Sequence, residues 1–260
     1  MILQVLAVGD VVAESGLVFL SRNLRRVKQE HGVHFTVVNG ENAAGIGVLP
    51  GQVEEMFDAG ADVVTLGNHT WGKMKITRYL DDCAYLLRPA NFAQRLPGQG
   101  YGVFDGPMGL QIGVINLIGR VSMDPNVDNP FRRADQILGQ LAGQADLFLV
   151  DFHAEATSEK LAMGWYLDGR VSAVWGTHTH VPTADTLIRP NGTGCVTDLG
   201  MTGPARSVLG MKHEQAVNRF LGGLPMRFEP APGPCKLEGA LFELDSETGA
   251  CTRAEAVRFT

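Results

Sequence analysis

Five short polar clusters each follow an apolar run that reads as a β-strand: Gly9-Asp10, Asn39-Gly40-Glu41-Asn42, Gly67-Asn68-His69, Asp151-Phe152-His153 and Gly176-Thr177-His178-Thr179-His180. Each supplies a carboxylate, an amide oxygen or an imidazole, and none contains a cysteine. Such oxygen and nitrogen donors suit hard or borderline cations, which do not need thiolates. In an open α/β sheet the carboxyl ends of the strands share one edge, and ligands bind in the crevice there. Five such ends would gather seven or eight metal-type ligands, enough for two ions sharing one site. Two metals about 3.5–4 Å apart are a recurring device of phosphatases and nucleases. Asp10, Glu41, Asn42, Asn68, His153, His178 and His180 are therefore the candidate ligands. Glu41, mid-cluster with Asn42 beside it, is the candidate bridge.

Each cluster taken singly has a plainer reading. An aspartate after a strand is commonly a turn or capping residue, and Asn-Gly is an ordinary turn dipeptide. Asn68 and His69 could cap a following helix, and His-x-His recurs by chance. Position at the same end of every strand, with mutually compatible donors, is what favours the metal reading. His31, His34 and His213 lack such a setting and read as surface or core histidines. Trp71 reads as a packing anchor. Arg206 and Lys160 are weaker candidates for phosphate contact, with a structural or surface role favoured.

These clusters must be positioned by a regular framework. Residues 2–8 form a buried-strand run, and Leu17, Leu20, Leu24 and Val27 mark a helix over 17–31. The basic residues Arg22, Arg25, Arg26 and Lys28 on its other faces read as a solvated surface. A strand at His34–Val38, a helix opened by Pro50-Gly51 and closed by Gly60, and a strand at Asp62–Leu66 complete a β-α-β-α-β series. That is the grammar of a mostly parallel sheet covered by helices. Further strands are expected at Tyr85–Leu87, Tyr101–Phe104, Gln111–Leu117, Leu147–Val150 and Val171–Trp175. Shorter strand-like pieces lie near 185–189 and 194–197, and two closing strands at 239–244 and 252–259. Helices are expected near 132–143 and 212–221, with another capped by Thr157 or Ser158. Loops are expected at 120–130 (polar, proline-bearing), 198–204 and 225–234. Nothing in 1–260 resembles a linker between domains, so one α/β domain of two packed sheets is expected.

Composition narrows the function class. The net charge of −6, without a basic stripe, argues against a protein that holds long nucleic acid by phosphate neutralisation. A small phosphate-bearing substrate stays compatible, because metal ions supply positive charge locally. The four cysteines are scattered and read as free thiols rather than a disulfide framework. No apolar run approaches the roughly 20 residues that span a bilayer, and the N-terminus lacks the pattern of a signal peptide. A cytoplasmic enzyme is expected. A homo-oligomer is compatible with this reading. The phosphate loop of P-loop NTPases, the G-x-S-x-G elbow and the H-E-x-x-H helix are all absent.

At these residues a family resemblance emerges. Gly67-Asn68-His69 and Gly176-Thr177-His178-Thr179-His180 resemble the metal motifs of the calcineurin-like metallophosphoesterases. Asn39-Gly40-Glu41-Asn42-Ala43-Ala44, the run Asp151 to Lys160, and Thr197-Asp198-Leu199-Gly200-Met201-Thr202-Gly203-Pro204 resemble their YmdB-like branch. The resemblance implies a four-layer α/β/β/α sandwich of two mixed sheets flanked by helices. It implies two divalent or trivalent metal ions, with iron or manganese ahead of zinc. It also implies phosphodiesterase activity, with 2′,3′-cyclic nucleotides as substrates. Carried over, Asp10, Glu41, Asn42 and His180 hold one ion; Glu41, Asn68, His153 and His178 hold the other; and His69 is the proton donor. The superfamily's Asp-x-His start is absent, since Asp10 is followed by Val11-Val12, and Glu41 replaces the usual second aspartate. Ala13-Glu14-Ser15 also departs from the more basic, glycine-containing version typical of the branch, a change that bears on the rim of the site.

The expected chemistry is attack of a metal-bound hydroxide on a small phosphodiester, with His69 protonating the leaving oxygen. The rivals are a nucleotide sensor with little turnover, and a phosphomonoesterase or RNase. His69 favours the enzyme over a sensor, since a pure binder has no use for a poised acid.

Overall fold

The computed structural model describes residues 1–123 and 126–260. Asp124 and Pro125, part of the expected loop at 120–130, lie outside the described residues. The first half runs β1 (Ile2–Val8), β2 (Asp10–Val11), α1 (Ala13–Glu30), β3 (Phe35–Asn39), α2 (Pro50–Ala59) and β4 (Val63–Thr65). There follow α3 (Ile76–Asp82), β5 (Leu86–Leu87), β6 (Tyr101–Asp105), β7 (Gln111–Ile118), α4 (Pro130–Gln140), β8 (Leu147–His153) and α5 (Thr157–Tyr166). The last part is β9 (Ala173–Thr177), β10 (Leu187–Ile188), β11 (Gly194–Val196), β12 (Met201–Pro204), α6 (His213–Phe220), β13 (Cys235–Asp245) and β14 (Cys251–Phe259).

Two mixed sheets result. The first has the order β2-β12-β13-β1-β3-β4-β5, with β14 also on β13, and the second the order β10-β11-β9-β8-β7-β6. β1, β3, β4 and β5 are parallel neighbours, as are β7, β8 and β9. Period-two alternation decides which side each strand residue faces. Leu3, Val5 and Ala7 of β1 turn toward the second sheet and meet Val114, Leu149 and Trp175 in a shared core. Leu6 and Val8 turn the other way, onto α1 and α2 with Leu17, Leu20, Leu24, Val53 and Met56. On the far face of the second sheet Ile115, Val150 and Phe152 pack under α4 and α5 through Ala134, Ile137 and Met163. Helix, sheet, sheet and helix thus stack in four layers, as the resemblance implies.

Several boundaries differ from the sequence reading. α1 starts at Ala13 rather than 17, and two of its basic residues brace neighbouring segments instead of facing water alone. Arg25 donates to the Asp58 carbonyl, and Lys28 to Gly60 and Asp62. β8 extends through Asp151-Phe152-His153, so that cluster is the strand's own end. β9 likewise includes Gly176 and Thr177. Residues 201–204, expected as loop, form β12, because they are drawn between β2 and β13. Thr157 is the first helical residue of α5, and neither it nor Ser158 caps it: Ala156 holds the cap position without a side-chain bond. Gly60 ends α2 at φ 111°, a conformation that favours glycine. Cys83, Cys195, Cys235 and Cys251 are free. Among the described residues no helix is long and apolar enough to cross a membrane.

Candidate metal centre

The carboxyl ends of β1, β3, β4, β8 and β9 converge, and all seven candidate ligands lie there together with His69. Asp10, Glu41 and His153 are fully buried, and their ligand atoms lie within 4.8 Å of one another. Charged groups almost never sit so deep without a compensating charge.

Around His153 Nε2 three acceptors crowd: Glu41 Oε2 at 2.8 Å, Asn68 Oδ1 at 2.9 Å and His178 Nδ1 at 3.1 Å. The network behind them settles where the protons sit. Thr177 Oγ1 spends its only proton on Asp151 Oδ1 at 2.7 Å, so toward His153 Nδ1, 2.9 Å away, it must accept. Neutral His153 therefore carries its proton on Nδ1 and leaves Nε2 bare. Glu155 Oε2 lies 3.0 Å from His178 Nε2 and accepts its proton, leaving His178 Nδ1 bare. Once His153 gives up its second proton, two lone pairs, a carboxylate oxygen and an amide oxygen face one point. Donors about 2.0–2.2 Å from one cation stand about 3 Å from each other, which is the spacing found here.

Asp10, Asn42 and His180 form a second group beside it. His180 Nε2 lies 3.6 Å from Asp10 Oδ1 and 3.3 Å from the Asn42 amide. Asp10 Oδ2 accepts from the His178 backbone N–H at 3.1 Å, while Oδ1 makes no hydrogen bond although it is buried. Glu41 Oε2 likewise makes none, and its other oxygen accepts from His69 N at 2.5 Å. A buried carboxylate oxygen left without a donor is costly, and a cation removes that cost. Gly67 shows how tightly the cradle is drawn: a Cβ there would lie 1.9 Å from Glu41 Oε2 and 2.3 Å from His153 Nε2. The donor set, with Asp10, Glu41 and His153 at its centre, fits cation binding.

The site's charges perturb one another. Burial alone would lower His153, but the carboxylates of Glu41, Asp10 and Asp151 outweigh it and push the imidazole up to about 9. Burial and the His153 charge push His178 down to about 4. Burial works against the Asp10 carboxylate, yet His180 and His153 hold it well below the usual range. The cluster thus demands positive charge at its centre, from a proton on His153 or from metal.

Two supporting devices escaped the sequence reading. The first lies behind His153, where Asp151, pushed up to about 6 by burial, accepts from Thr65, Thr177 and Asn39. Asp151 stood inside a recognised cluster without a role, and no local signal tied Thr65 or Thr177 to it. The second lies under the histidine loop. His178 and His180 have φ of 100° and 62°, backbone strain of about 1–3 kcal/mol each that persists only where surroundings enforce it. Asp198 enforces it by accepting from Thr179 N at 3.2 Å and Thr179 Oγ1 at 2.8 Å. Lys160, itself buried, pairs with the same Asp198 oxygen at 2.7 Å, so its role is structural.

The remaining candidates fall where the plainer readings put them. His31, His34, His213 and Arg206 are exposed. Trp71 packs against Phe92 with ring centroids 6.0 Å apart. His69, beside the ligands, lines a cavity of about 330 Å³ with Asn42, Glu155, His178 and His180. That places its imidazole on the open side of the metal groups.

Comparison with known proteins agrees with this architecture. Residues 6–257 match the model of a family described as YmdB-like protein. A Bacillus subtilis protein named 2′,3′-cyclic-nucleotide 2′-phosphodiesterase is 44% identical over 256 residues, covering 98% of this chain and 96% of that one. A crystal structure of a novel phosphatase from Mycoplasma pneumoniae superposes with a TM-score of 0.92 at 34% identity, covering 100% and 94% of the two chains. A hypothetical protein from Thermus thermophilus superposes with a TM-score of 0.90 at 37% identity over 99% of both. With the four-layer sandwich and a ligand cluster on its strand ends, the chain belongs to the YmdB-like family of calcineurin-like metallophosphoesterases.

Proposed function

We propose that this chain is a metal-dependent phosphodiesterase acting on small phosphodiesters, 2′,3′-cyclic nucleotides foremost. The observation that carries the reading is the convergence of Glu41, Asn68 and His178 on His153 Nε2, beside a second group of donors around Asp10. The 44% identity to the Bacillus phosphodiesterase supports the substrate class. Asp10, Asn42 and His180 would hold one ion; Asn68, His153 and His178 the other, with Glu41 shared. Iron or manganese is favoured over zinc. Such ions, when bound, supply positive charge against the phosphoryl oxygens and bring the pKa of water toward about 7.

The chain's own groups do the rest. Glu41 ties the His69 backbone to the centre, which sets where the His69 ring stands. From the cavity wall the ring donates a proton to the departing oxygen, the step that lets an alkoxide leave at neutral pH. Asp198, through Thr179, holds His178 and His180 in the conformation that aims both rings inward.

The test is elemental analysis together with turnover of 2′,3′-cyclic AMP by wild type and His69→Ala. Two metals per chain in both proteins, with turnover lost only in the variant, is the expected result. Two metals without turnover in either would favour a nucleotide sensor, and a metal-free protein after reconstitution would overturn the reading.

A further inference from the structure

The loops that carry Asp10 and the Glu41–Asn42 pair continue past the metal centre. After Asp10 the chain reaches Ala13 and Glu14; after Asn42 it runs through Gly45 and Ile46 to Leu49. Both stretches wall a second cavity of about 740 Å³, closed on its other side by Met226 and Phe228. Gly45 and Met211 line this cavity and the one over the metal centre alike, so the two adjoin. Its apolar walls are open to water: Ile46 is 57% exposed, Met226 46% and Phe228 42%. Large apolar groups gathered in an open groove beside a reactive centre mark a surface that something covers. Lys73 and Glu14 place polar groups among them.

We propose that this groove is the subsite for the base of a nucleotide substrate, with Phe228 and Ile46 as the walls against which the ring packs. The inference rests on the phosphodiesterase reading above. A phosphate set against the metal ligands brings its ribose into the 330 Å³ cavity. The base, fixed to that ribose, must extend into whatever space adjoins it, and the groove adjoins through Gly45 and Met211. An aromatic ring and a branched aliphatic side chain serve the flat faces of a base, as in nucleic-acid sites where stacking tolerates any base. Because walls of this kind read ring faces and not ring edges, purine nucleotides, with the larger face, gain more than pyrimidines. A small diester without a base gains nothing.

The test compares 2′,3′-cyclic AMP with ribose 2′,3′-cyclic phosphate, which lacks the base, on the metal-loaded full chain. In wild type the base-bearing substrate has the higher kcat/KM. In Phe228→Ala the ratio of the two kcat/KM values falls about tenfold, the scale of one stacking contact, and the fall lies in KM. Ile46→Ala lowers the same ratio less. Saturation-transfer NMR of adenosine with the metal-free protein supplies a readout independent of turnover: base protons receive saturation in wild type and lose it in Phe228→Ala. A ratio unmoved in both variants, or adenosine contacts that survive them, overturns the subsite while leaving the phosphodiesterase intact. Failure of wild type to cleave either ester strikes the underlying reading instead.

Discussion

The two halves of the proposed metal centre are built differently. Around His153 the imidazole itself ends β8 and is held from behind by Asp151 and Thr177, while Glu41, Asn68 and His178 approach from the loops after β3, β4 and β9. Around Asp10 and His180 the donors come from the first residue of a two-residue strand and a loop with two residues in left-handed conformation. Distances follow the same division, 2.8–3.1 Å about His153 Nε2 against 3.3–3.6 Å about His180 Nε2. The His153 ring is fixed by its strand and by the Thr177–Asp151 pair behind it, whereas the histidine loop is held through its backbone by the buried Lys160–Asp198 pair. The first half is thus expected to bind its ion tightly, and the second to exchange its ion more readily.

Removing a ligand from either half tests that contrast most severely. His153→Ala should lose turnover altogether and leave at most one metal per chain, measured by mass spectrometry after gel filtration. Asp10→Ala should also lose turnover but keep the ion of the His153 half. If both variants retain two ions, the division of ligands is wrong. His69→Ala belongs to neither half: it should keep both ions and lower kcat by about 10²–10⁴-fold. Wild-type kcat in that variant would remove His69 as the acid.

The supports come next in size. Lys160→Met leaves the Asp198 carboxylate buried without its partner, a loss of about 3–5 kcal/mol for a pair broken on one side, read by chemical denaturation. Lys160→Met with Asp198→Asn should recover much of that, yet its ion in the Asp10–His180 half should dissociate faster than in wild type. Thr177→Val keeps the shape but removes the acceptor for His153 Nδ1–H, and loss of such an outer partner costs about 10–100-fold in metal affinity. Thr177→Ser should restore it. Equal affinity in the valine and serine variants would show that the hydroxyl does not set the His153 tautomer.

Much of this architecture was legible in the sequence because its signals are local. The alternation of Leu3, Val5 and Ala7 with Leu6 and Val8 reports a strand covered on both faces, and each polar cluster stands where such a strand stops. Family resemblance added the pairing of ligands with ions and the role of His69. What stayed hidden depends on contacts between residues far apart in the chain. Thr65 meets Asp151 across 86 positions and Lys160 meets Asp198 across 38, and neither threonine nor lysine differs by type from surface neighbours. Met201-Thr202-Gly203-Pro204 reads as loop because it has weak strand character of its own; β2 and β13 impose β12 on it.

Glu155 offers the finest test of the two-halves picture, since it holds the proton of His178, the one residue on the strained loop that serves the tighter half. Its carboxylate is half exposed and reaches His178 Nε2 at 3.0 Å. Partly solvated charge pairs contribute about 1 kcal/mol or less. Glu155→Gln still presents an amide oxygen to Nε2–H, so the tautomer survives and metal affinity should fall by less than about fivefold on that scale. Glu155→Leu presents no acceptor. There the bare nitrogen of His178 is free to exchange roles with its partner, and the ion of the His153 half should weaken further than in the glutamine variant. Calorimetric titration of the metal-free proteins measures both. If leucine and glutamine behave alike, His178 is held by the Asp198–Thr179 clamp on its backbone alone, and the strained loop is stiffer than its φ angles imply.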